Sequence, residues 1–197
     1  MRQIKASDFL EIKKQMGLIE SLTPENRQRL EAIATKQRNI LGFKSYEALP
    51  AKFLADYFGA TIFTAKTVPN AEPEQVKILC NDDSWSAGII YRKPLLIVHN
   101  SRHTPVRQQS NLMHEFAHVI LKHRMVKYDA KTGLPLRKKQ YEDEAVYLGS
   151  CLQIPRRGLL WAKQKKMTIA QVAIHFNASE DMVKKLRCNV TGISFVS

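Results

Sequence analysis

The chain has 197 residues, 44% hydrophobic and 25% charged, the balance of an ordinary soluble globular protein with room for one sizeable core and a small extra lobe. No apolar run approaches the roughly 20 residues a membrane span needs, and Met1 to Glu11 mixes charged and apolar residues without a signal-peptide core; the expected location is the cytoplasm. The net charge of +13, from 31 basic and 18 acidic residues, suits a polyanionic partner or simply a solvated face. It concentrates in Lys122–Lys139, with Lys122, Arg124, Lys127, Lys131, Arg137, Lys138 and Lys139 against Asp129, and in Arg156–Lys166. Cys80, Cys151 and Cys188 form no C-x-x-C pair and read as free thiols.

Taken in chain order, residues 1–59 read as an N-terminal helical segment. Thr23-Pro24-Glu25 is a helix start: an N-cap hydroxyl, a proline at the first helical position, and an acid at the positive end of the dipole. Leu30, Ile33, Ala34 and Gln37 continue that helix, and Gly42 is its stop. Ala51 to Phe58 reads as a second helix closed by Gly59. Residues 60–160 form the expected core domain. Its first part holds short β-branched or aromatic runs, Thr61–Thr64, Val76–Leu79, Ala87–Tyr91 and Leu95–Val98, read as a small mixed or antiparallel sheet of about four strands. Arg92-Lys93-Pro94 joins the last two runs as a hairpin. Asn100 to Pro105 is a polar loop.

Gln108 to Leu121 reads as a helix. At about 100° per residue with Leu112 at zero, Phe116 falls at about 40°, Ile120 at about 80°, Met113 at about 100° and Val119 at about 340°, one apolar stripe. His114 and His118 fall at about 200° and 240°, off that stripe and one turn apart, where a core histidine would not lie. Two neutral imidazoles at i and i+4 can converge on one zinc ion, with a third ligand leaving a position open for water. Glu115, at about 300°, stands beside them as a general base able to take a proton from that water and pass it to a leaving amine. His123 extrapolates to about 20°, away from the pair, and reads as a helix-end histidine at the negative pole of the dipole. The third ligand is sought on the next helix, Tyr141 through Leu152. There Tyr141, Ala145, Leu148 and Leu152 make a core stripe, and Gly149 permits close helix approach. Glu142 and Glu144 lie on opposite flanks of the stripe. Only one of them can face the metal, and spacing does not choose between them.

These segments together resemble the ImmA/IrrE family of bacterial and phage metallopeptidases. The likeness covers most of the chain: Pro94-Leu-Leu-Ile-Val-His-Asn100, Arg107-Gln108-Gln109, Leu112-Met-His-Glu-Phe-Ala-His-Val-Ile-Leu121 with His123, and Glu142-Asp-Glu-Ala145 through Leu152-Gln-Ile-Pro155. The resemblance implies an α+β, zincin-like metallopeptidase domain. It implies Zn2+ held by His114, His118 and Glu142, with Ala145 at the family's small position. Val146 departs from the family's usual Asn or Asp, and Phe116 from its usual smaller residue. It also implies a protein substrate, a helix-turn-helix repressor whose cleavage or inactivation answers stress, with the substrate lying as an extended segment along a sheet edge.

Residues 161–197 read as a helix-turn-helix-like segment packed on the core. Thr168-Ile-Ala-Gln171 is a capping box, Asn177-Ala178 a turn, and Ser179 the cap of a second helix carrying Lys184, Lys185 and Arg187. That segment could bind DNA or simply pack on the catalytic domain. Thr191 to Val196 is expected to add a strand or remain loose. Two further readings accompany the peptidase one: a DNA- or repressor-binding regulator with a structural or vestigial metal site, and a toxin partner of a repressor-like antitoxin.

Overall fold

Helix α1, Pro24–Ile40, starts where its sequence predicts: the Thr23 hydroxyl accepts from the Asn26 amide at 3.3 Å. It ends at Leu41, and Gly42 supplies the left-handed residue at φ 79° that the turn needs. This is seen in a computed structural model of the chain, described over residues 22–68, 73–81, 85–124, 127–128, 135–136 and 138–195. The helical expectation for residues 1–21 lies outside the described residues, as does part of the basic run between Lys122 and Lys139. Helix α2, Ala51–Phe58, closes on Gly59 at φ 61°.

Strand β1 (Thr61–Thr64), helix α3 (Pro73–Asn81), β2 (Ala87–Arg92) and β3 (Leu95–His99) follow. Among the described residues the sheet has three strands in the order β1-β3-β2, with β1 parallel and β2 antiparallel to β3. The hairpin across Lys93-Pro94 is as expected, with a register shift between Ile89 and Tyr91. The fourth expected strand, Val76–Leu79, is wrong: these residues lie in α3. Pro73 at the helix opening and Glu74 in its first turn favour helix, and they outweigh the β-branched composition. A separate two-stranded ladder joins β4 (Lys127–Tyr128) to β5 (Pro135–Leu136).

Helix α4, Pro105–Ile120, begins three residues before its predicted start, because Thr104 caps it and Pro105 occupies its first turn. Its stripe is buried as read: Met113 and Phe116 are inaccessible, and Leu112, Val119 and Ile120 pack on the same core. Helix α5, Lys139–Gln153, is enclosed between α1 and α4. The expectation of one core stripe is corrected here, since every residue from Glu142 to Gln153 except Val146 is buried. A helix covered on both sides shows no polar face, and each buried polar group must instead find a partner. Gly149 is the point of closest approach to α4: a Cβ there would stand 3.2 Å from backbone atoms of Met113 and His114.

A second apolar cluster is built by α6 (Arg156–Gln164), α7 (Ile169–His175) and a π-helical stretch Met182–Cys188, which continues into the short α8 (Asn189–Thr191). Thr168 and Gln171 form the predicted capping box, and Asn177 turns the chain at φ 50°. No strand forms over residues 191–195. Arg187 does not face outward as a second-helix cation should: it is fully buried and donates to Glu31 at 2.6 Å, to the Ile154 carbonyl at 2.8 Å and toward the Cys151 sulfur at 3.0 Å. A side chain at that phase points between the C-terminal helices and α5, where only the carboxylate from α1 makes its charge tolerable. All three cysteines are free, and no described helix is long and apolar enough to cross a membrane.

Candidate metal centre

The last turns of α4 and the first turn of α5 bring three predicted residues together. The Nε2 atoms of His114 and His118 are 3.0 Å apart, and Glu142 places one carboxylate oxygen 3.3 Å from the first and the other 3.7 Å from the second. Three donors around a tetrahedral zinc at about 2.0–2.1 Å would be separated by about 3.3 Å, so the spacing fits such an ion. Two nitrogens and one oxygen are also a donor set that zinc accepts. Among the described residues this is the group of His, Cys, Asp and Glu side chains that could hold a metal. Burial raises the pKa of the Glu142 carboxyl. Its hydrogen bonds and charge contact with His114 and His118 more than reverse that, and hold it well below the usual carboxylate range. The carboxylate is therefore in its ligating form.

Glu144 does not join this group. It accepts from Arg29 of α1 at 2.9 Å and lies 3.0 Å from Nε2 of His123. The two carboxylates lie on opposite flanks of α5, as their phase requires.

His123 departs from its predicted place. The expectation that it points away from the histidine pair fails, because the helix ends before it. Lys122 adopts φ 54°, its amide bonds to the Val119 carbonyl at 3.1 Å, and the His123 amide bonds to the His118 carbonyl at 3.0 Å. That pairing of bonds reverses the chain at a helix end. The reversal folds His123 back until its Nδ1 lies 2.9 Å from Nδ1 of His118 and its ring stacks on Tyr141 at 4.3 Å. Burial lowers the pKa of His123, against the opposing pull of Glu144. A glycine at position 122 would have announced the turn; a lysine there concealed it.

Glu115 is buried on the same helix, one residue from His114. Its charge acts on Arg92, the last residue of β2, whose guanidinium is lowered by burial and raised by Glu115. Arg92 also donates to the His123 carbonyl at 2.5 Å, so the end of the strand is tied to the site. Sequence reasoning missed Arg92, which read there only as part of a turn. Gln109, one helix turn before Met113, fixes α4 by donating to the Leu49 carbonyl at 2.8 Å and accepting from the Ala51 amide at 3.0 Å. Val146 packs in the main core and offers the site no polar group.

No curated protein and no solved structure gives a significant match to the chain. Residues 55–186, which contain the whole of this cluster, match the family model of the M78 peptidases, described as the IrrE N-terminal-like domain, and the chain therefore belongs to the ImmA/IrrE family.

Proposed function

We propose that the protein is a zinc-dependent endopeptidase whose ion is held by His114, His118 and Glu142, with Glu115 as general base. The observation that carries this reading is the convergence of two imidazole nitrogens and a carboxylate at tetrahedral spacing, beside a further carboxylate on the same helix. A divalent ion held there by His114, His118 and Glu142 would supply Lewis acidity for the scissile carbonyl and for activating water. Glu115 would hold the proton taken from the attacking water and pass it to the departing amine, so that peptide and water give a carboxylic acid and an amine. The substrate lies as an extended segment along β2. That strand is an outer strand of the sheet, it carries exposed Ile90 and Tyr91, and its last residue, Arg92, reaches the His123 backbone. A helix-turn-helix repressor is the proposed protein substrate.

The test is Glu115→Gln. It keeps zinc and loses at least about a hundredfold of the cleavage rate on the cognate repressor, followed as peptide fragments by mass spectrometry. Undiminished cleavage removes Glu115 from the mechanism.

The charge of +13 favours one second reading, a DNA-binding regulator acting through the C-terminal helices. Of the three cations that reading uses, Arg187 is interior, and Lys184 and Lys185 pair with Glu180 and Asp181 on their own helix. Tight, salt-sensitive duplex binding by protein purified without zinc would restore it.

A further inference from the structure

We propose that His123 is a positioning residue that holds His118 in the one ring orientation and tautomer able to bind metal; this rests on the metal reading above. The contacts form a single line: His118 Nδ1 to His123 Nδ1 at 2.9 Å, His123 Nε2 to Glu144 at 3.0 Å, and the other Glu144 oxygen to Arg29 at 2.9 Å. Donors and acceptors along that line can be assigned in only one consistent order. His118 turns Nε2 toward His114 and Glu142, so that nitrogen must keep its lone pair for the ion. Its proton then sits on Nδ1 and is donated to Nδ1 of His123. A neutral His123 accepts there and carries its own proton on Nε2, which it donates to Glu144. The carboxylate accepts from the imidazole on one side and from the guanidinium on the other. Every position is filled, and no group changes charge.

The frame around His123 keeps its ring in place. Tyr141 stacks on it with 7° between planes, and Arg92 and the turn at Lys122 hold its backbone. His123 and Glu144 are both buried. Outer groups that orient a ligand histidine are commonly worth 10–100-fold in metal affinity. Val146 supplies no such group from α5. The imidazole folded back from the end of α4 supplies it instead, one residue past a left-handed lysine.

The experiment measures zinc affinity of the full chain by chelator competition, with thermal melting of the zinc-free protein as the check on folding. His123→Phe keeps an aromatic ring to stack on Tyr141 but neither accepts nor donates; it should bind zinc about 10–100-fold more weakly. His123→Asn leaves an acceptor near the position of Nδ1 and should recover most of that loss. Glu142→Ala, which removes a proposed ligand, should lose more than either. A His123→Phe variant that binds within twofold of the parent, while Glu142→Ala does not, overturns the positioning role and leaves the metal site standing. A parent chain that binds no zinc overturns both. If the Phe variant does not fold, nitrogen-15 spectra of the His118 ring in the parent decide. A single Nδ1–H tautomer supports the role, and an even mixture overturns it.

Discussion

Glu142 and Glu144 stand two positions apart on one buried helix, and about 200° of rotation separates their neighbours. Helical phase in the sequence was enough to say that they could not share a partner. It could not say which faced the imidazoles, because that depends on where α1 and α4 lie. The structure sets Glu142 against His114 and His118, and Glu144 against His123 and Arg29. His123 was unreadable for a different reason. Helical phase carries it along a helix that has already ended, and the residue that ends it, Lys122, carries no glycine signal. Cys151 gives a separate prediction at this scale. Its thiol is fully enclosed, pushed up to about 12 by burial although Arg187 pulls the other way. A thiol reagent at neutral pH should therefore modify Cys80 and Cys188, both partly exposed, and spare Cys151 until the protein is unfolded. Peptide mapping of the labelled native chain checks this, and early labelling of Cys151 would contradict the burial described.

Among the elements, the pair α4 and α5 carries the site, and Gly149 sets their spacing. Its close approach was legible, since a glycine inside an apolar helical pattern signals a neighbouring backbone. Gly149→Ala adds a methyl group 3.2 Å from backbone atoms of Met113 and His114. Alanine gains about 1 kcal/mol of helix propensity, and crowding of this kind costs about 1–3 kcal/mol. A net loss on the order of 1 kcal/mol follows from these two. Urea unfolding measures it. Zinc affinity should fall alongside, because the atoms that must yield belong to the residue bearing one imidazole; stability and affinity both unchanged would show that α4 can move freely. Helix α3 shows the opposite failure of legibility. Val76–Leu79 has strand composition, but Pro73 and Glu74 open a helix over it, and a local start signal prevailed over side-chain preference.

Across the whole molecule, one buried cation joins the parts. Arg187 ties the C-terminal helices to Glu31 on α1 and to the end of α5 through Ile154. Arg187→Ala leaves Glu31 without its charge partner and empties a fully buried site, so it should cost about 3–5 kcal/mol. Chemical denaturation measures the change, and a loss under 1 kcal/mol would mean that the C-terminal lobe sits loosely on the rest. Three of the four expected strands, the two site helices and the Thr168 capping box could be anticipated because each rests on local periodicity and caps. The enclosure of α5 could not. It arises from a third helix more than 100 positions away in the chain, whose Arg29 meets Glu144, while Gln153 is enclosed by Ser110 of α4 and the carbonyls of Phe176 and Asn177.

The family match begins at residue 55, yet α1 ends at Ile40. The unit that evolution shares and the unit that folds here have different borders. Arg29 braces Glu144, Arg38 donates to the Leu152 carbonyl at 2.6 Å, and Glu31 answers Arg187, all from outside the shared segment. A chain trimmed to the matched region would keep every proposed ligand and the base. It would also uncover the side of α5 that Leu30 and Ala34 now seal, and leave the buried Glu144 carboxylate without Arg29.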